Sequence, residues 1–240
     1  IFHDVLERFS KKLISSGESF HTISEEKRAA ICEESVNEAV GYGNDILLST
    51  SRLKYMINRI KRLSHRATWA ITEQVKRGEF EPFLFEEAFT FEGMRGRIDR
   101  IDSFVSDFLP DGTKLKDNKD EALKKYKKAE YVRVIDYKTG NKRFEADRLY
   151  YGLDLQLPVY LEHVSRLIKE MRGHEKNLII PSGSFYFHID DPVIEKGDTD
   201  NAFLKALRFD GFSSDGTYQV SLADKGVVSG EVTNGNLNLV

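Results

Sequence analysis

The sequence predicts an α/β layered domain, with a mixed central sheet flanked by helices and a helical region in front of it. Three observations carry this prediction. Over the first third of the chain, apolar residues recur at three- and four-residue spacing, the period of helices packed on one face. From Pro82 the pattern changes to alternation, and three strand-like segments follow within residues 82–137. A helical stretch then separates the third strand from a fourth. This β-β-β-α-β order differs from the repeated βα units of a doubly wound sheet.

The elements are justified in turn. Residues 1–16 place Val5, Leu6, Phe9, Leu13 and Ile14 on one stripe, and Gly17 is a stop signal. Ser24 opens a second helix, 24–40, as its N-cap. Residues 50–78 form a third, with Leu53, Met56, Ile57, Ile60 and Leu63 on one face and Gly78 at its end. In residues 82–92 (PFLFEEAFTFE) Phe85, Phe89 and Phe91 share one parity. Residues 95–105 (RGRIDRIDSFV) and 131–137 (YVRVIDY) are the next two strands, the latter rich in β-branched residues. Between them, residues 107–130 read as an exposed excursion, part helical, whose lysines and acids form a solvated face. A helix is expected from 146 to 171, with Pro158 removing an internal hydrogen bond and bending it. Residues 183–189 (GSFYFHI) are a fourth strand and 201–208 a short helix, before a tail rich in Gly, Ser, Asn and Thr. The expected organisation is a helical part at 1–80, a core at 81–190 and a C-terminal extension at 191–240, together one compact domain.

Composition narrows the function classes. A chain of 240 residues, 40% hydrophobic and 31% charged, has the make-up of an ordinary water-soluble domain. No stretch approaches the roughly 18 apolar residues of a membrane span. The opening lacks the features of a signal peptide, and its start without Met reads as a cut inside a longer protein. The single cysteine, Cys32, excludes an internal disulfide and a cysteine-built zinc site, and fits a reducing cytosol. A net charge of −3 argues against a surface that coats duplex DNA. Contact with nucleic acid would then be confined to a local channel, with a tethered partner supplying most of the grip.

The strongest chemical signal is a carboxylate on one strand and an Asp-x-Lys on the next. In 132–138 side chains alternate, so Asp136 and Lys138 share a face with Val132 and Val134. Asp99 shares its parity with Arg97 and Ile101. If the strands are neighbours, Asp99 and Asp136 approach closely enough to share a divalent cation, and hard oxygen ligands suit Mg²⁺ or Mn²⁺. Lys138 would orient a water or stabilise charge developing on a phosphorane. Asp-x-Lys alone is common, and such a surface pair is usually worth roughly 0–1 kcal/mol; its weight here comes from what accompanies it. Asp102 points away from Asp99 and is expected to be a structural partner. Gln156 and Tyr160 stand four apart on one helical face, within reach of a phosphate or a base edge. His3 lies on the first helix, one turn before Glu7, in a setting where a lone histidine is more often structural.

In combination, His3 in an HxxLE-like helix, GRIDRID at 96–102, IDYKTG at 135–140 and GLxLQLxVYL at 152–161 resemble the RecB-like branch of the PD-(D/E)XK nucleases. Within it, the spelling is most similar to the C-terminal nuclease domains of the AddB family, over about residues 1–190. The resemblance implies a restriction-endonuclease-like core and a Mg²⁺-dependent deoxyribonuclease, an exonuclease acting on single-stranded DNA. It also implies an AddA-type helicase partner and a bacterial, cytoplasmic role in double-strand break repair and recombination. Carried over position by position, it assigns metal ligation to His3, Asp99, Asp136 and the backbone carbonyl of Tyr137, and makes Lys138 the catalytic lysine. Gln156 and Tyr160 become the pair near the DNA. Glu86, in an ExxF pattern ending at Phe89, matches an acid often found on the first strand. Arg100 stands with these three as a DNA-binding or supporting residue. The family usually carries four cysteines that bind an iron–sulfur cluster; with Cys32 alone, no cluster is expected here. Two other readings are a catalytically silent nuclease-like scaffold that guides DNA and a stand-alone exonuclease of the same superfamily. The filled ligand positions disfavour the first, and the spelling of 150–161 disfavours the second.

Overall fold

The computed structural model describes residues 1–41, 50–91, 93–172, 176–193, 199–214 and 216–225. In chain order its elements are α1 (Phe2–Ser15), α2 (Glu25–Val40), α3 (Ser51–Arg77), β1 (Glu81–Phe91), β2 (Met94–Ser106), β3 (Lys128–Lys138), α4 (Ala146–Tyr150), α5 (Gln156–Met171), β4 (Asn177–His188), α6 (Thr199–Ala206), β5 (Asp210–Ser213) and α7 (Thr217–Ala223). They form two compact units, neither continuous in sequence: Ile1–Lys76 with His188–Leu207, and Arg77–Phe187 with Arg208–Val240. The boundary expected near residue 80 falls at Arg77. In place of one compact body with a C-terminal extension, the last part of the chain is divided between the two units. No helix among the described residues is long and apolar enough to cross a membrane.

In the helical unit, α1 buries Val5, Leu6, Phe9 and Leu13, whereas Ile14, expected on the same stripe, is exposed. Ser24 caps α2 as anticipated, its hydroxyl accepting the Lys27 N–H at 3.3 Å. Arg28 is buried and ties α2 to α3, donating to the Glu25 carboxylate (2.9 Å), the His65 carbonyl (3.0 Å) and the Thr68 hydroxyl (2.7 Å). On α3 only Ile57 and Leu63 of the expected face are buried, and Met56 is exposed. The helix buries its C-terminal half instead, through Ala67, Ala70, Ile71 and Val75, where short side chains allow close approach. Cys32 lies in this interior, and burial pushes its thiol up to about 11.

The second unit is a mixed five-stranded sheet in the order β1-β2-β3-β4-β5. β1/β2, β2/β3 and β4/β5 are antiparallel, and the helical crossover α4–α5 joins β3 to β4. β3 is buried along almost its whole length. Val132 and Val134 on one face pack under Val164 and Ile168 of α5, and Tyr131 on the other packs with Phe80 and with Leu222 of α7. The single helix expected at 146–171 is two, because the chain turns at Gly152 with φ +69°. Pro158 consequently falls in the first turn of α5, where a missing N–H has no intrahelical acceptor to lose, and it starts the helix rather than bending it. The charged excursion holds one 3-10 turn, Leu115–Asp117, and is anchored by buried Leu109 and Leu115.

One interaction fixes how β2 and β3 pair. Asp102 is fully buried and accepts from two arginines, Arg100 at 2.6 and 2.7 Å and Arg133 on the neighbouring strand at 2.9 Å. Burial by itself would raise the Asp102 carboxyl, but the two guanidiniums override it and hold it below the ordinary carboxylate range. The Asp102→Ala variant leaves two buried cations unpaired and is expected to lose about 3–5 kcal/mol of stability in urea denaturation. Because the folded carboxyl is lowered, the stabilisation by Asp102 is complete above about pH 3.8 and disappears as pH falls through the folded value. An Asp102→Ala chain as stable as wild type at neutral pH would refute this.

Candidate active site

The antiparallel register pairs Arg100 with Ile135, which leaves Asp99 and Asp136 as the next residues out on β2 and β3. Alternation turns both to the α5 face, opposite Arg100 and Asp102. Both carboxylates are buried, Asp99 at 7% and Asp136 at 3% exposure. A carboxylate in such a place needs fixed partners. Asp99 accepts the backbone N–H of Tyr137 at 2.5 Å. Asp136 forms an ion pair with Lys138, two residues along the same face, and accepts from the Gln156 amide at 3.1 Å. Gln156 is the first residue of α5. Its amide nitrogen also donates to the Tyr160 hydroxyl at 3.0 Å, and its amide oxygen accepts from Lys138 at 3.3 Å. The Tyr160 phenol is raised by burial, and its ring meets Phe89 edge to face at 5.3 Å. Phe89 in turn lies against Gly96, where a Cβ would come within 2.6 Å of the ring.

Glu86 breaks the alternation of β1. Its φ is +54°, rare for a residue with a side chain, on a strand whose register also shifts between Pro82 and Leu84. Such strain, of order 1–3 kcal/mol, persists only where the surroundings enforce it. One Glu86 oxygen accepts from Arg97 at 3.4 Å, and the other is buried with no hydrogen-bond partner among the described residues. Carboxylate oxygens of Glu86 and Asp99 lie within 4.8 Å of each other. That spacing, an all-oxygen donor set and an orphaned buried oxygen fit a hard divalent cation. Asp136, expected to share a cation with Asp99, is not in this mutually close group, because Lys138 and Gln156 hold its carboxylate.

The remaining predicted residues are placed as follows. His3 is exposed on the first turn of α1, in the helical unit. Tyr137 sends its phenol to the face away from the acids, where burial pushes it up to about 12. Arg100 is fully buried on that same face and bound to Asp102, so it supports the strands and does not reach nucleic acid.

Three neighbours of the site were not anticipated. Lys142 donates to Asp154 at 3.1 Å and to the Gln156 amide oxygen at 3.1 Å. The ammonium groups of Lys138 and Lys142 stand 5.1 and 5.0 Å from the centre of the Tyr186 ring on β4. The signals were faint: Asp154 precedes Gln156 by two, and Lys142 follows Lys138 by four in a loop with no period.

A sequence model of the PD-(D/E)XK nuclease superfamily matches residues 1–128 and 120–228, and the chain belongs to that superfamily. Among curated proteins it is similar to AddB, the ATP-dependent helicase/deoxyribonuclease component of that name, from Lachnoclostridium phytofermentans, with 37% identity over 230 residues. That match covers 93% of this chain and 18% of the relative. The proteins of the same name from Alkaliphilus metalliredigens and Clostridioides difficile are 35% and 31% identical, covering 81% and 97% of this chain. The chain spans 16% and 20% of their respective lengths.

The strain at Glu86 gives a prediction that separates fold from function. Both Glu86→Gly and Glu86→Ala should weaken Mn²⁺ binding measured by calorimetry. In thermal melts Glu86→Gly should be the more stable of the two by about 1 kcal/mol, since only glycine adopts this backbone freely. An alanine variant as stable as the glycine one would show that the backbone at 86 carries no strain.

Proposed function

We propose that this chain hydrolyses phosphodiester bonds of single-stranded DNA with Mg²⁺ or Mn²⁺, as the nuclease part of an AddAB-type helicase–nuclease in the bacterial cytoplasm. The observation that carries the reading is the convergence of Asp99, Asp136, Lys138, Gln156 and Tyr160 on one sheet face, beside Glu86 with its unpartnered oxygen. The names of the relatives support the AddA-type helicase partner and the role in break repair. Exonuclease action follows the same resemblance.

Glu86, Asp99 and Asp136 would hold the cation, with His3 and the Tyr137 carbonyl as further ligands by resemblance. When bound, the cation supplies Lewis-acid charge to the phosphoryl oxygens and makes water more acidic. The chain's own groups do the rest. Lys138, held between Asp136 and Gln156, presents a proton-bearing ammonium to the charge that builds on the phosphorus oxygens as water attacks and the P–O ester bond breaks. Gln156 keeps the Asp136 carboxylate and the Lys138 ammonium in fixed relation through opposite ends of one amide.

The test is incubation of the 240-residue chain with labelled single-stranded DNA and Mg²⁺ or Mn²⁺. Asp136→Ala and Lys138→Ala should each remove cleavage by a factor of at least about 10² while leaving circular dichroism unchanged. His3→Ala should loosen Mn²⁺ without altering the melting temperature by more than the roughly 0.5 kcal/mol typical of surface changes. Variants that cut as well as wild type would exclude this active site. A folded wild-type chain that never cuts would favour the silent scaffold.

A further inference from the structure

The sheet unit carries a second polar cavity at the far end of the same face. It has a volume of about 380 Å³, and three segments distant in sequence supply its walls: Lys125 and Tyr126 from the charged excursion, Lys169 and Arg172 from the end of α5, and Lys176 and Asn177 at the start of β4. Four cations gather here in a chain whose net charge is −3. The arrangement is braced from below. Glu130, fully buried on β3, pairs with Arg172 at 2.8 Å and accepts from Asn177 at 3.0 Å. Lys176 has φ +57°, and its carbonyl accepts the Lys127 N–H at 2.9 Å, which fastens this turn to the excursion. Lys125, Lys169 and Lys176 are exposed around the opening, and the Lys125 ammonium stands 5.0 Å from the Tyr126 ring centre.

The relation of this cavity to the acids follows from α5. That helix begins at Gln156, bonded to Asp136, and is succeeded by Arg172, bonded to Glu130. Glu130 and Asp136 share a parity on β3 and are six residues apart, or about 20 Å. Basic side chains around an aromatic ring suit a single-stranded nucleic acid, whose phosphates meet the cations and whose bases stack. We propose that this cavity is a second binding site for the phosphodiester backbone of single-stranded DNA, holding the strand roughly six nucleotides from the cleavage point. The proposal rests on the reading of the chain as a DNA nuclease.

The test compares wild type with a Lys125→Gln, Lys169→Gln, Lys176→Gln triple variant. Binding of a fluorescent single strand of about 20 nucleotides is measured without metal across a salt series, and cleavage with metal. At about 0.7 per phosphate contact, three lost contacts should lower the slope of log Kd against log salt by about 2. KM for the long strand should rise several-fold with kcat unchanged, while KM for a strand of about four nucleotides, too short to span both sites, stays the same. If the triple variant cuts and binds the long strand like wild type, the second site is refuted and the nuclease reading stands. Equal losses on long and short strands would also refute it, since that is the effect of general charge alone. If wild type neither binds nor cuts DNA, both readings fall together.

Discussion

Three charges shut away from water, Asp102 between Arg100 and Arg133, impose the constraint from which the sheet unit is built. Buried ions tolerate no alternative pairing, because any slip of β2 against β3 would strand at least one of them. A one-residue slip would also turn every side chain of β2 to the other face. The ion cluster and the carboxylates of Asp99 and Asp136 are therefore two sides of a single register. One face is locked by charge so that the other can hold charge at its end.

On the α5 side, a single amide does the organising. Gln156 stands at the N-terminal end of α5, joined to Asp136, Lys138, Lys142 and Tyr160. Because the helix packs along β3 through Val164 and Ile168, its start is placed by apolar burial and not by the polar contacts it serves. The hydrophobic layer thus sets the distances within the acidic end, and the polar network inherits them.

Much of this was legible in the sequence. Strand alternation in 95–105 and 131–137 put Asp99 and Asp136 on one face and Asp102 on the other, and the four-residue spacing of Gln156 and Tyr160 gave their contact. What was not legible depended on breaks in periodicity or on distant chain segments. Glu86 adopts a left-handed backbone that no alternation rule anticipates. The split between α4 and α5 hinges on Gly152, which looked like one residue in a long helix. Lys142 and Tyr186 reach the site only through tertiary folding, and the two-unit organisation joins segments more than a hundred residues apart. The lysines of the excursion read as a solvated face because their neighbours in space, Lys169 and Arg172, are remote in sequence.

Gly96 shows how far such a site extends. With no side chain of its own, it leaves room for the Phe89 ring, which touches Tyr160, which holds Gln156, which holds Asp136. A position that contributes only empty space is the first link in a line of contacts ending on a carboxylate. A library of substitutions at residue 96 would therefore act as a set of graded spacers, each displacing the aromatic layer by a different amount. It would measure how finely this site depends on the placement of an acid that none of the substitutions touches.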